Sequence, residues 1–274
     1  YILGCKGGVG TTTVALNLAS GLAHMDKSHS VLLTDMTAPF GDMPVLLGIN
    51  PFPDWAQLTK NLSHINVRML KSILSKHPSG FYVLPSPSTL EDGRINLEVA
   101  EEILSLMEKA FEFSVIDGGK FSGEVSAKIF EMADSILLLT NLTHPCLENL
   151  KGLLSFFQKL KPCPEEKIRI VVNRYEKNSS ISLSLEEAEK ELRKHIFWKI
   201  PNDFTAVTEA ANQGKTLIDL GEGKEICKSF LHLASFFLMK DHPGGTNHHF
   251  WKRLMDKARW DRLALALHLR PRPS

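Results

Sequence analysis

The feature that most restricts this chain's fold is a glycine-rich stretch set between a short apolar run and an amphipathic one. Gly4-Cys5-Lys6-Gly7-Gly8-Val9-Gly10-Thr11-Thr12-Thr13 follows Tyr1-Ile2-Leu3 and runs into a helical pattern over Thr12 to His24. Small residues let the backbone curl until successive N–H groups point inward as an anion nest, and the helix N-terminus adds its positive end. Thr12 is placed to give a hydroxyl to Mg2+. A turn that merely needs glycine is the simpler reading. The flanking strand and helix and the three adjacent threonines weigh against it.

The rest of the chain alternates short apolar runs with longer amphipathic ones. Strands are expected at Tyr1 to Leu3, Val31 to Thr34, Phe81 to Leu84, Phe113 to Ile116, Ile136 to Thr140, Ile168 to Val172 and His195 to Ile200. Their continuous apolar character suits strands buried on both faces. Helical segments lie between them, such as Leu97 to Ala110, Leu147 to Leu160 and Leu185 to Lys194. This alternation predicts an α/β fold: a doubly wound, mostly parallel sheet with helices on both faces, binding its ligand at the carboxyl ends of the strands.

Composition narrows the function class. The formal net charge of +1 provides no global field to draw the protein onto nucleic acid or anionic lipid, so a basic patch has to be local. Cys5, Cys146, Cys163 and Cys227 form no C-x-x-C pair, against a disulfide framework or structural zinc and in keeping with a reduced, cytoplasmic setting. No apolar run approaches the roughly 20 residues that cross a bilayer, and the start does not read as a signal peptide. Tyr1-Ile2-Leu3 reads as the tail of a buried strand, so a preceding domain is expected. Residues 1–240 read as one ligand-binding domain and 241–249 as a linker. Residues 250–274 are a basic amphipathic tail with Trp251, Leu254, Met255 and Ala258 on one helical face. Such a helix docks on its own core, on a partner, or on an anionic membrane surface. His242, His248 and His249 sit too loosely to make a metal site.

The loop departs from the regular G-x-x-x-x-G-K-S/T pattern. Cys5 stands at the first glycine and Thr11 at the phosphate-binding lysine, leaving Lys6. This arrangement resembles the MinD/ParA family of deviant Walker ATPases, with signature K-G-G-V-G-K-S/T-S/T. The resemblance implies a deviant P-loop NTPase binding ATP and Mg2+ through Lys6, Gly7, Gly8, Val9, Gly10, Thr11, Thr12 and Thr13. It makes Lys6 the lysine that reaches across an ATP-sandwiched homodimer. K-G-G-V-G-x-T-T without the second lysine is similar to the TadZ/CpaE type, which localises and helps assemble Tad-type pili. Those proteins often carry an N-terminal receiver-like domain.

Three further motifs follow in order. Val31-Leu32-Leu33-Thr34-Asp35 is an apolar strand ending in a carboxylate suited to a Mg2+-bound water. The family's second acid of D-x-D, which positions the attacking water, is Thr37 here. Phe40-Gly41-Asp42 again resembles the TadZ/CpaE type, although Asp42 serves equally as a loop N-cap. Phe113-Ser114-Val115-Ile116-Asp117 has the Walker B form; Asp117 supports Mg2+, caps the next turn, or does both. Lys120, in Gly118-Gly119-Lys120, is either a phosphate sensor or a solvated loop residue. In the family, an Asn at the position of Asn173, followed here by Arg174, reads the adenine edge. Lys199-Ile200-Pro201-Asn202-Asp203 and Ala210 to Lys215 match stretches that close over the base, with Pro201 and Asp203 at the site.

Loss of the loop lysine removes a contact worth about 1.5–3 kcal/mol, or roughly ten- to hundredfold in affinity. Loss of one preorganised donor costs hydrolysis about 10²–10³ in rate. The expectation is an ATP-dimerised localisation and assembly factor for a Tad-type pilus secretion system, with weak or no hydrolysis. It would sit at the inner membrane face or cell pole, with pilus or secretion proteins as partners and Lys6 and Asp35 as catalytic candidates. The alternative is a ParA-like partition ATPase cycling on DNA, disfavoured by Thr11, Thr37 and the near-zero net charge. An iron–sulfur carrier or metabolic enzyme of this fold would want a C-x-x-C pair, which is absent.

Overall fold

The computed structural model describes residues 1–36, 41–50, 52–87, 96–119, 123–159, 165–177, 182–221 and 223–241. Thr37, Phe40, Lys120, Cys163 and the tail 250–274 lie outside these residues, as does the linker beyond Asp241.

Among the described residues eight strands form one sheet: β1 (Ile2–Gly4), β2 (Val31–Asp35), β3 (Ser75–Lys76), β4 (Tyr82–Leu84), β5 (Phe113–Asp117), β6 (Ile136–Thr140), β7 (Ile168–Tyr175) and β8 (Ile196–Pro201). Their order is β3-β4-β2-β5-β1-β6-β7-β8, and every neighbouring pair is parallel except the β3–β4 hairpin. Every residue of β2 and β6 is buried, which explains why their sequences show no polar alternation. The two-residue β3 is too short for an apolar pattern and was not assignable from sequence.

Among the described residues there are ten helices: α1 (Thr11–Met25), α2 (Met43–Leu46), α3 (Trp55–Lys60), α4 (Val67–Ile73), α5 (Leu97–Ala110), α6 (Gly123–Met132), α7 (His144–Lys159), α8 (Leu185–Leu192), α9 (Phe204–Asn212) and α10 (Glu225–Asp241). Right-handed crossovers carry α1 one way along the sheet and α5 to α8 the other, which puts them on opposite faces. α10 packs beside α1. Local chemistry sets several starts: Asp54 and Ser184 form reciprocal capping boxes with Gln57 and Glu187.

Two sequence boundaries move by three residues. β7 continues three residues past Val172, so Asn173 and Arg174 belong to the strand rather than following it. α7 begins at His144, three residues before the expected Leu147. In both places hydrogen bonding carries the element past the end of its apolar run.

Candidate functional site

The glycine loop springs from the carboxyl edge of the sheet. Gly4 N–H donates to the Gly119 carbonyl at 2.9 Å and Cys5 N–H to the Leu139 carbonyl at 2.9 Å, pinning the loop's root between the ends of β5 and β6. Cys5, in the place of the first loop glycine, points into the core. Its thiol contacts Thr140 Oγ1 at 3.6 Å. Burial pushes that thiol up to about 12, so Cys5 is an apolar anchor rather than a nucleophile. Lys6, Gly7 and Gly8 are exposed.

Gly10 closes the loop as the residue preceding α1, with φ +98°. Two constraints require glycine there. The left-handed conformation disfavours a Cβ, and a Cβ would stand 2.4 Å from Asn173 Nδ2. With no side chain at this cap, the first N–H groups of α1, at Thr11 to Thr13, have no side-chain partner from Gly10. The loop therefore presents the donor-rich end of a helix, as an anion nest requires.

Two carboxylates stand beside it. Asp35 and Asp117 end adjacent parallel strands and are register partners, and both are fully buried. Asp117 Oδ1 accepts from Gly119 N–H at 3.1 Å, so it does cap the following turn. Its Oδ2 is buried without a hydrogen-bond partner. Burial raises its pKa, opposed by the hydroxyls of Thr12 and Thr11 and the Gly119 N–H. A buried carboxylate oxygen left unmatched next to a threonine hydroxyl fits a hard cation, and oxygen-only donors suit Mg2+. Among the described residues no group of three His, Cys, Asp or Glu side chains could hold a metal.

Asp35 is enclosed by Gly41 of the Phe40-Gly41-Asp42 motif and by Trp55 and Ser86, which the sequence did not single out. Trp55 Nε1 donates to Thr34 Oγ1 at 2.9 Å, one residue before it. Gly41 N–H donates to Ser86 Oγ at 2.8 Å. A Cβ on Gly41 would fall 1.8 Å from Asp35 Oδ2, so only glycine lets the chain cross this carboxylate. Asp42 occupies the residue before α2 but its side chain makes no capping bond.

On the other side of the loop, Asn173 is buried, and its Nδ2 donates to the Val9 carbonyl at 2.8 Å. It thus holds the loop itself, whatever further use its amide has. Arg174 is exposed with φ +54°. Pro201 ends β8 opposite Tyr175, and Asp203 caps α9 by accepting from Ala206 N–H at 2.9 Å. Among the described residues no hydrogen bond joins Pro201 or Asp203 to the loop. The stretch after α9 is instead tied to α1. Asn17 donates to the Thr13 carbonyl at 2.8 Å and accepts from Leu217 N–H at 2.8 Å, and Ser20 pairs with Thr216 at 2.9 Å. Polar residues inside the apolar run of α1 were the only sequence sign of this tie.

Comparison with known proteins bears on the fold and the family. The family model described as "AAA domain" matches residues 1–170. Chromosome-partitioning ATPase Soj of Thermus thermophilus is 26% identical over 223 residues, covering 77% of this chain and 84% of that protein. A ParA family ATPase from Chlorobium tepidum superposes with a TM-score of 0.78 at 23% identity, covering 85% of this chain and 95% of that one. The septum site-determining protein MinD from Pyrococcus horikoshii, complexed with Mg-ADP, gives 0.73 at 20% identity, covering 89% and 97%. The two structures establish the likeness of fold. No helix of the described residues is long and apolar enough to cross a membrane. With the glycine loop, the paired strand-end carboxylates and the sheet order in place, the chain belongs to the AAA-domain family as a MinD/ParA-type P-loop ATPase.

Proposed function

We propose that this chain binds Mg-ATP and uses it as a dimerising ligand, with slow or absent turnover, to localise and help assemble a Tad-type pilus secretion system. The observation that carries the reading is Thr11. It opens α1 where the regular loop has its lysine, while the nest, Thr12 and Asp117 keep their places. Lys6, Gly7, Gly8, Val9, Gly10, Thr11, Thr12 and Thr13 hold the phosphates, mainly through backbone amides. Thr12, Asp35 and Asp117 hold Mg2+, which supplies charge neutralisation between the phosphate oxygens. Asn173, Arg174, Pro201 and Asp203 form the base side. The pilus branch is supported by the absent second lysine together with Gly41-Asp42 at its offset. The same reading places the protein in the cytoplasm, at the inner membrane face or pole, working with pilus or secretion proteins.

Calorimetric titration with Mg-ATP tests the first part. Micromolar binding with dimerisation by light scattering and negligible phosphate release is expected. A normal ATPase rate would refute the slow-turnover claim, and no binding would leave a constitutive scaffold. In the source cell, removal of the protein should abolish pili and spare DNA partition. The reverse, with salt-dependent binding to random duplex, would install a ParA-like partition ATPase instead.

A further inference from the structure

The edge of the sheet opposite the glycine loop carries a cleft of about 620 Å3 between the end of α1, the entry to β2 and the β3–β4 turn. Its lining includes Lys27, Lys76, His24, His29 and His77, and no acidic residue. In a chain with 32 Lys and Arg against 31 Asp and Glu, that segregation is local. Lys27 and Lys76 have no acidic partner among the described residues, and Lys76 Nζ is held 5.3 Å over the Tyr82 ring.

Three acids flank the cleft, each held by a serine of the lining. Asp26 accepts from Ser28 N–H at 2.9 Å and lies 3.2 Å from His29. Glu112 accepts from Ser30 N–H at 2.8 Å and faces Lys71 at 3.9 Å. Asp219 accepts from Ser79 Oγ at 2.8 Å and from Thr216 N–H at 2.9 Å. His77 is a floor residue: buried, stacked on Phe81 at 4.8 Å, with Nδ1 accepting from Ser79 N–H at 3.2 Å. Cations near the end of α1 complement its dipole, which accounts for His24 and Lys27. It does not account for Lys76, brought from a different element.

We infer that this cleft is a second anion site, for a phosphate group gripped by the Lys27 and Lys76 ammonium groups. The phosphate belongs either to a soluble phosphorylated molecule or to a phospholipid headgroup. Neither source involves the glycine loop.

The test uses the full chain and K27Q/K76Q, two exposed changes that should leave the melting temperature unaltered. Inorganic phosphate is titrated by NMR, comparing the amides of Ser28, Ser79 and Gly80 with those of Gly7 to Thr12, since phosphate also suits the loop. Vesicles of phosphatidylcholine, with and without phosphatidylglycerol, are assayed in parallel by sedimentation. Saturable shifts at Ser28, Ser79 and Gly80, weakened about tenfold or more in K27Q/K76Q, support the site with a soluble ligand. Silence to free phosphate, with phosphatidylglycerol-dependent sedimentation weakened as much by K27Q/K76Q, supports it with a headgroup ligand. Shifts confined to Gly7–Thr12, together with vesicle behaviour indifferent to K27Q/K76Q, overturn it.

Discussion

The two edges of this sheet treat their carboxylates in opposite ways. At the carboxyl edge Asp117 is buried with one oxygen unmatched, and desolvation raises its pKa. At the amino edge Asp26 and Glu112 are held below their usual values. For Asp26 the Ser28 hydroxyl does most of this. For Glu112 partial desolvation pushes upward, but the hydroxyl and N–H of Ser30 and the Lys71 ammonium outweigh it. The acids Asp26 and Glu112 at the amino edge are satisfied, whereas Asp117 at the carboxyl edge keeps an unmatched oxygen. The buried, unmatched carboxylate of Asp117 costs folding stability, which the satisfied acids of the amino edge do not.

The largest effect expected from testing this contrast is at Gly41. Gly41→Ala puts a methyl group 1.8 Å from Asp35 Oδ2 and 2.5 Å from Ser86 Oγ. The chain must shift, and urea melts should show a loss of about 2–3 kcal/mol, with Mg-ATP binding weakened in parallel. Unchanged stability would mean that the carboxyl edge is not tightly built.

Asp117→Asn should act in the opposite direction. The folded pKa of Asp117 lies above 3.8, so between those two values the folded state holds more protons than the unfolded one. Stability therefore falls as pH rises through that window. The Asn variant escapes this loss. Without Mg2+ its melting temperature should exceed wild type by about 2–4 °C at pH 7, and the gap should close as pH falls toward 3.8. It should also lose the thermal shift given by Mg-ATP. A variant less stable than wild type at neutral pH would show that the buried charge is already compensated.

The smallest effect is at the amino edge. Glu112 is largely exposed, and the stability that its lowered pKa represents is present above 4.5 and disappears as pH falls through the folded value. Glu112→Gln should cost less than about 1 kcal/mol at pH 7, with the difference gone in acid. A loss that persists in acid would place the stabilisation in packing rather than charge.

The sheet was legible because each strand is a local apolar run. Seven of the eight strands fall within a residue or two of the expected positions, apart from the longer carboxyl end of β7. The missed strand, β3, exists only because β4 pairs with it. The loop, Asp35 and Asp117 were also legible, since a glycine nest after a strand and an acid at a strand end are contiguous patterns. The packing around them was not. Ser86 reaches Gly41 across 45 residues, Asn173 reaches Val9 across 164, and Asn17 reaches Leu217 across 200. No spacing rule links such pairs.

The sequence by itself therefore determined the layer architecture, the place of the glycine loop and the two strand-end acids, because these follow from local periodicity and backbone sterics. Only the tertiary structure decided that Cys5 is an anchor, that Asn173 clamps the loop, and that Asp117 keeps an unmatched oxygen at one edge while Asp26 and Glu112 are satisfied at the other. Burial and hydrogen-bond satisfaction are properties of what surrounds a residue, and those surroundings are assembled from parts of the chain far apart.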